Sequence, residues 1–408
     1  MGRSSGRSSI PQPFVRKRSI GPGKIVVGLL FLLILLLFVF YGLGGWHFSN
    51  EIYSSAFEVG PPTEPELDIT LDRGEADAIV LQGSPDAGYL TDDGRFGLVS
   101  ESTSGLVDRI LSAETSNGIN TVRRARVVGE PIPAPGSPVR LDPFVWQGDP
   151  ETALGIPFEE IEFDVEGGKA PAWYVKGTTD TWMIFVHGKG ASRSEVLRML
   201  PIAIDRGYHA MVIEYRNDPG APADPSGTYQ YGLTEWRDVA AAALYARTNS
   251  GRNLIFVGLS MGGSNVMSYL LESPLRNQTV AAILDSPMLD FDATVDYAAA
   301  QTTLPLTSIT LPSSLTAAAK WMAGWRFDID WEELDYVSRW RDLHTPTLII
   351  QGTGDETIPV EPAHELARIR PDLVTLVTPQ GVGHVVAWNA DPDGYDTLVN
   401  SFLDGLGV

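Results

Sequence analysis

The chain has 408 residues, of which 43% are hydrophobic, and it contains no cysteine. It is long enough to bury a sizeable core, and it can form neither disulfides nor thiolate metal sites. The whole chain has a net charge of −21. Six of its 30 basic residues and none of its acids lie among the first 24 residues, so residues 25–408 have a net charge of −27. Because so acidic a surface repels phosphate backbones, we expect no nucleic-acid partner.

The N-terminal region combines a basic tail, residues 1–24, with a long apolar run. No charged residue occurs between Lys24 and Glu51. About 20 apolar residues span the ~30 Å hydrocarbon core of a bilayer, so residues 25–46 are predicted to form a single transmembrane helix. The positive-inside rule then places the tail in the cytoplasm and the rest of the chain outside it. The alternative is a cleaved signal peptide, whose apolar core is shorter.

Residues 50–150 contain short stretches of β type, such as DAIVLQG and VRLDPFVW, separated by glycine, proline and aspartate. This pattern predicts a small β-rich extension between the transmembrane helix and the rest of the chain. Nothing in the sequence of this segment indicates what it does.

From about residue 158 the pattern changes to short apolar runs that alternate with helix-length segments. Runs such as WMIFVHG, NLIFVGLS and TLIIQGTGD lack polar alternation, which is typical of strands buried on both faces of a parallel sheet. Alternation of this kind over about 250 residues predicts an open α/β sheet flanked by helices. Ligands of such sheets bind at the carboxyl ends of the strands, so the residues that follow each run are the candidates for a site.

Ser260 lies in the sequence GLSMG, between an apolar run and a segment of helical pattern. An ordinary glycine-rich loop has a similar composition, but the strand before and the helix after it favour a nucleophile turn. Such a turn is sharp, and the flanking Gly258 and Gly262 allow strand and helix to pass without a clash. The N-terminus of the helix would also direct unpaired N–H groups at the serine. Ser260 is therefore the predicted nucleophile.

A serine hydroxyl needs a base to remove its proton, and the chain has six histidines. His384 follows the last apolar run and is the predicted base. His187 also follows an apolar run, but it precedes the serine in the chain and is not chosen. The carboxylate that orients the base is predicted to be Asp355, in the loop after TLIIQG, with Glu356 and Asp285 as alternatives. Serine, acid and base then follow successive strands.

An acyl-transfer site also needs two N–H donors directed at the developing oxyanion. Met261, directly after the serine, is predicted to supply one from its backbone. The other is predicted to come from Lys189, in the loop after MIFVHG, with Gly190 as the alternative. The side chain of Lys189 is expected to point to solvent. The histidines lack the spacing of a metal site such as HExxH, so we expect neither a metal nor a cofactor.

The motifs HGKG, GLSMGG, GTGDETIP and GVGH occur in this order, and with them the sequence resembles the α/β-hydrolase superfamily over about residues 158–408. The most similar groups are serine esterases and lipases and the dipeptidyl-peptidase-like serine hydrolases. The resemblance implies an eight-stranded, mostly parallel sheet flanked by helices and a triad of Ser260, His384 and Asp355. It also implies hydrolysis through an acyl-enzyme.

Residues 291–340 form an insertion at the place where the superfamily commonly carries a helical cap. Four of the ten tryptophans of the chain lie in it, at positions 321, 325, 331 and 340. These tryptophans either pack the cap helices or line an apolar acyl pocket that opens toward the bilayer.

The predicted function is a membrane-anchored serine hydrolase that cleaves a small-molecule or lipid-like carboxylic ester. A serine peptidase or an acyltransferase with the same triad is the alternative. A non-enzymatic membrane scaffold that kept the fold is a further alternative, since a fold alone does not establish a function.

Overall fold

A computed structural model describes residues 22–60, 66–127, 129–305 and 307–408. Except for its last three residues, the predicted cytoplasmic tail lies outside the described residues. The helices are, in chain order, α1 (Pro22–Ala56), α2 (Pro150–Leu154), α3 (Leu200–Asp205), α4 (Trp236–Thr248), α5 (Met261–Glu272), α6 (Phe291–Gln301), α7 (Ser313–Phe327), α8 (Glu361–Ile369), α9 (Ala387–Ala390) and α10 (Pro392–Leu406), with 3-10 turns at Arg193–Met199, Arg276–Gln278 and Trp340–Asp342. The strands are β1 (Ile69–Gly74), β2 (Ala78–Gly83), β3 (Phe96–Val99), β4 (Ser104–Ser116), β5 (Ile119–Arg126), β6 (Pro138–Asp142), β7 (Glu159–Val165), β8 (Gly168–Val175), β9 (Thr181–Val186), β10 (His209–Ile213), β11 (Asn253–Leu259), β12 (Thr279–Asp285), β13 (Thr347–Ile350) and β14 (Val374–Val377).

The larger sheet has eight strands in the order β14-β13-β12-β11-β9-β10-β8-β7. From β14 to β10 neighbouring strands are parallel, whereas β8 and β7 are antiparallel to their neighbours. Every residue of β9 is buried, and alternate side chains of it enter two hydrophobic cores on opposite faces of the sheet. This double burial explains the runs without polar alternation. The predicted eight-stranded, mostly parallel sheet is confirmed.

The predicted β-rich extension is a closed six-stranded barrel with the order β1-β2-β5-β4-β3-β6. Pairing of β1 with β6, which joins Ile69 to Val139, closes it. Its core is apolar and includes Val386, which belongs to the larger domain. The Asn389 side chain in α9 donates to the carbonyls of Arg95 and Pro143 at 2.8 and 2.9 Å. The barrel therefore packs directly on the last βα loop of the large sheet.

Helix α1 is long and apolar enough to cross a membrane, and its residues 25–40 are exposed. It extends to Ala56, well beyond the predicted end at residue 46. The polar extension is stabilised by contacts with the rest of the protein, since Ser49 is fully buried and Phe57, one residue after the helix, lies in the core beside Phe291.

Helices α6 and α7 lie between β12 and β13 and form the predicted helical cap. Trp331 stacks on Phe291 with ring centroids 5.6 Å apart, and Trp340 packs partly buried against the core. Trp321 and Trp325 instead stack on each other at 6.5 Å and are 69% and 74% exposed. Two of the four tryptophans thus pack the cap, and two face outward.

Candidate active site

Ser260 occupies the turn between β11 and α5. Its backbone has φ +50° and ψ −119°, a conformation that side-chain-bearing residues rarely adopt and that is typical of a nucleophile turn. A Cβ atom on Gly258 would lie 2.6 Å from the carbonyl oxygen of Gly262, and one on Gly262 would lie 2.2 Å from that of Val186. Because either contact would be a clash, both flanking positions require glycine.

The structure brings Ser260, His384 and Asp355 together in one chain of hydrogen bonds. His384 Nε2 lies 2.9 Å from Ser260 Oγ, and His384 Nδ1 lies 2.7 Å from Asp355 Oδ2. The three residues follow β11, β14 and β13, whose parallel course places their carboxyl ends at one edge of the sheet. The side chain of His384 is 24% exposed and that of Asp355 only 1%. This arrangement allows a substrate to reach the serine, while the carboxylate is shielded from solvent.

The carboxylate of Asp355 is held by three further hydrogen bonds. Its Oδ1 accepts from the amides of Thr357 and Ile358, both at 2.8 Å, and its Oδ2 accepts from Gln351 Nε2 at 2.8 Å. Donors of this kind stabilise the ionised form of a carboxyl group, which is the form that orients a histidine. No motif in the sequence indicates Gln351, because its role depends on a contact with Asp355 that forms only in the fold.

The two alternative acids occupy other environments. Glu356 is exposed. Asp285 is buried at the end of β12, and burial raises its pKa to about 6. Its Oδ1 accepts from the hydroxyl of Ser286 at 3.2 Å, and the same hydroxyl accepts from the amide of Val385 at 3.0 Å. Asp285 therefore lies behind the loop that carries the histidine, whereas Asp355 contacts the ring itself.

The loop from His187 to Gly190 lies against the serine. A Cβ atom on Gly188 would come within 3.3 Å of Ser260 Cβ. The Gly188 amide donates to Glu195 Oε2 at 2.7 Å, whereas within the described part of the chain the Lys189 amide makes no hydrogen bond. Met261 begins α5, and the first amides of a helix have no partner inside it. Among the described residues, neither of the two amides predicted to hold the oxyanion donates a hydrogen bond to the protein.

The side chain of Lys189 does not point to solvent, so this expectation was wrong. Its ammonium donates to the carbonyl of Ser55, in the last turn of α1, and lies 5.9 Å from the centre of the Tyr229 ring. The last carbonyls of a helix lack partners and carry partial negative charge, so they attract a cation. Partial burial lowers the pKa of Lys189.

The side chain of His187 lies in a buried ionic cluster with two acids and not against Ser260. Its Nε2 is 2.8 Å from Glu214 Oε2 and 3.3 Å from Asp218 Oδ2, and Arg193 donates to the second oxygen of Glu214 at 3.0 Å. Burial by itself lowers the pKa of His187, but the charge of Asp218 and hydrogen bonds to both acids outweigh it and raise the pKa well above 6.5. His187, Glu214 and Asp218 are spaced to hold a metal ion. Their charges are already balanced by one another and by Arg193, so a cation would have to displace existing pairs.

His187→Gln is expected to lower the free energy of unfolding by roughly 3–5 kcal/mol at about pH 6, because the two buried acids lose one of their two cations and only Arg193 remains. The folded-state pKa of His187 is raised, so its stabilisation is complete below the unfolded pKa and is lost as the pH rises through the folded pKa. The difference between wild type and variant should therefore shrink at high pH in denaturant titrations. The matched control is His364→Gln at an exposed position. A difference that does not change with pH would contradict a charged His187.

A cavity of about 250 Å³ opens beside Ser260 and His384. The other residues that line it are Tyr89, Pro143, Phe144, Gly188, Lys189, Gly190, Ala191, Glu195, Arg198 and Val385. The cap tryptophans are not among them, so this cavity does not support the alternative in which they line an acyl pocket. Arg198 donates to the carbonyls of Pro143 and Val385 and joins the wall to the histidine loop. One side of the cavity is thus built by the barrel and the segment after it.

The sheet, its flanking helices and the nucleophile turn define an α/β hydrolase. The chain belongs to the alpha/beta hydrolase family, whose sequence profile matches residues 183–396, just over half of the chain. Membership of this family supports hydrolase activity. No curated protein matches the chain.

Several solved structures are similar to the chain. The esterase Pf2001 of Pyrococcus furiosus is 18% identical, with a TM-score of 0.50 over 64% of this chain and 95% of its own. A membrane phospholipase A described as a bacterial virulence factor is 20% identical, with a TM-score of 0.41 over 61% of this chain and 86% of its own. An acylaminoacyl peptidase of Pyrococcus horikoshii is 14% identical, with a TM-score of 0.44 over 80% of this chain and 61% of its own. At these identities the likeness concerns the fold alone.

Proposed function

We propose that the protein is a membrane-anchored serine hydrolase that cleaves carboxylic esters through an acyl-enzyme. Ser260 is the nucleophile, His384 the base and Asp355 the acid that orients the base. The observation that carries the proposal is the continuous chain of hydrogen bonds at 2.9 and 2.7 Å through the histidine ring. Since the base already contacts the hydroxyl on one side and the carboxylate on the other, the groups need no rearrangement to act.

In the first half of the reaction, Ser260 Oγ attacks the carbonyl carbon of the ester while His384 Nε2 takes its proton. Asp355 stabilises the imidazolium and does not itself take the proton. The negative carbonyl oxygen is held by the amides of Met261 and Lys189. When this intermediate collapses, the imidazolium gives its proton to the leaving oxygen. An alcohol departs, and the acyl group remains on the serine.

In the second half, water takes the place of the alcohol. His384 removes one proton from the water as its oxygen attacks the acyl carbon, and the same two amides hold the second oxyanion. The bond to Ser260 Oγ then breaks, and the serine recovers its proton from the histidine. The net change consumes one ester and one water and yields one acid and one alcohol.

The surroundings of the cavity favour an ester over a peptide as the substrate. A peptidase that recognises a free amino end needs an available carboxylate close to the serine. Glu195 is the acid that lines the cavity, and it already accepts the Gly188 amide at 2.7 Å. Of the other groups around the cavity, Arg198 is a buried cation that would repel an amino end.

Anchoring through α1 is the second part of the proposal, with residues 1–24 in the cytoplasm and the hydrolase domain outside it. The exposed apolar surface of residues 25–40 and the length of the helix support this arrangement. The basic residues lie on the N-terminal side of the apolar run, as the positive-inside rule requires. The bilayer is then a permanent partner, and a lipid-like ester is within reach of the enzyme.

The test uses the full-length protein in detergent micelles and in vesicles. Esters of one chromogenic alcohol with acyl chains of increasing length are compared with amides of the same acids. We expect ester hydrolysis, whereas efficient cleavage of dipeptide amides would establish a peptidase instead. An added alcohol that diverts the acyl group into a new ester would indicate an acyltransferase. A protein that neither hydrolyses these substrates nor reacts with a fluorophosphonate would be a scaffold.

A further inference from the structure

Helices α1 and α7 run side by side in the same direction. Tyr41 Oη lies 3.0 Å from Ser314 Oγ near the start of α7. At the other end, the ring of Tyr53 stacks on that of Phe327 with centroids 4.1 Å apart. Since later residues of α1 meet later residues of α7, the helices are parallel. The chain that leads into α7 therefore lies toward the apolar part of α1.

The contact between these helices is close and continuous. A Cβ atom on Gly44 would lie 3.0 Å from Leu315 Cδ1, and one on Gly45 would lie 3.1 Å from Met322. Arg326 donates to the carbonyl of Trp46 at 3.2 Å, and its guanidinium lies over the indole ring. With this packing α1 is a rigid continuation of the hydrolase domain, and the depth of α1 in a bilayer fixes the height of the cap.

That height follows from the length of α1. Lys24 ends the basic tail, and about 20 residues after it span the hydrocarbon core, so the far boundary lies near residue 44. Tyr41 precedes this point by about 5 Å at 1.5 Å per residue. The hydrogen bond between the hydroxyls of Tyr41 and Ser314 therefore places the first turn of α7 at the boundary between hydrocarbon and headgroups.

The segment before α7 suits this position. We define the docking loop as residues 302–305 and 307–312, which join α6 to α7. It folds back on itself through the pairing of Thr303 with Thr310. Ile309 is 60% exposed, and no charged residue occurs anywhere from 297 to 319 in a chain of net charge −21. An exposed, charge-free loop at this level can meet lipid without the large cost of taking a charge out of water.

The aromatic residues of α7 fit the same orientation. Trp321 follows Ser314 by seven residues, or about 10 Å along the helix. This distance places its exposed indole among the headgroups, where tryptophan is enriched at membrane surfaces.

We infer that the docking loop inserts into the bilayer at the outer boundary between hydrocarbon and headgroups, beside α1, and holds the cap against the membrane surface. The inference rests on the proposed anchor. It bears on catalysis because α6, which leads into the loop, touches the segment that carries the catalytic acid. Tyr297 Oη donates to the carbonyl of Asp355 at 2.9 Å, and Gln301 donates to that of Glu356 at 3.0 Å. Docking thus brings the catalytic edge of the sheet close to the lipid surface.

Because the chain has no cysteine, one introduced cysteine can be labelled alone. Ile309→Cys is labelled with a polarity-sensitive fluorophore in the full-length protein, which is then placed in phosphatidylcholine and phosphatidylglycerol vesicles. Lipids spin-labelled near the headgroup act as quenchers. Val39→Cys, in the apolar part of α1, marks the bilayer. Leu244→Cys is the reference for a label in water. Leu244 is 54% exposed, and its helix α4 runs toward the sheet edge opposite the cap.

We expect the label at position 309 to shift to the blue and to be quenched by the spin-labelled lipids, as at position 39 and unlike position 244. If position 39 is quenched and position 309 behaves like 244, the docking inference fails while the anchor stands. If position 39 is not quenched either, the anchor and the inference fail together. A label at 309 that is blue-shifted but not quenched, and loses the shift on dilution, would indicate a second copy of the chain as the occupant and also overturn the inference.

Discussion

Ser260→Ala is expected to lower kcat for ester hydrolysis by a factor on the order of 10⁶, the loss that follows removal of a triad serine. The reason is that this hydroxyl is the proposed nucleophile, so without it the residual rate would depend on the two proposed oxyanion amides and on binding alone. Steady-state kinetics with the preferred chromogenic ester measure the effect. The alanine retains the backbone of the turn, so the thermal unfolding midpoint should change little.

The control for this experiment is Ser192→Ala, the same chemical change at an exposed position three residues after Lys189. It should keep full activity and full reaction with a fluorophosphonate, whereas Ser260→Ala should lose both. A Ser260→Ala protein that still reacts covalently with the probe would place the nucleophile elsewhere and remove the basis of the proposed mechanism.

The sequence was most informative where the chemistry imposes a local pattern. The turn at Ser260 needs glycine at positions 258 and 262, and the structure shows the clashes that any side chain would cause there. The ends of parallel strands share one edge, which is why the position in the chain was enough to select His384 as the base and to limit its partner to an acid near a strand end. These features depend on spacing and order, and both are visible in one sequence.

The choice between acids could not be made from the sequence, because it depends on burial and on hydrogen-bond donors. Asp355, Glu356 and Asp285 all lie at or near strand ends. What separates them is that Asp355 alone among the three contacts the histidine ring while the amides of residues 357 and 358 hold its other oxygen.

The features that were missed join segments far apart in the chain. The partner of the Lys189 ammonium is Ser55, 134 residues earlier, so the local sequence favoured solvent. The predicted transmembrane segment covers residues 25–46, and the continuation of α1 to Ala56 has no local pattern because its polar residues are stabilised by α7 and the core. Tyr89 of the barrel lines the cavity only because the barrel packs on the larger domain, which the local sequence does not indicate.

Asp355→Asn is expected to lower kcat by about 10⁴-fold, as the same substitution does in a serine protease triad. The neutral amide keeps the shape of the side chain, but in either orientation its NH2 group faces N–H groups that donate to the carboxylate in the wild type. His384 Nδ1 then loses its charged partner at 2.7 Å, so the ring adopts the wrong tautomer and the imidazolium is no longer stabilised. The pH dependence of kcat/KM and single-turnover acylation measure the loss.

Two matched substitutions separate this effect from a general loss of negative charge. Glu356→Gln removes a charge at the next residue, where the side chain is exposed, and should leave kcat unchanged. Asp285→Asn removes the buried carboxyl whose pKa burial raises to about 6. Because Asp285 acts on the histidine loop only through Ser286, the substitution should change kcat far less than Asp355→Asn. If Asp285→Asn instead caused the larger loss, Asp285 would be the acid that orients His384, and the geometry at Asp355 would be structural. The order of the three variants thus decides which carboxylate serves the base.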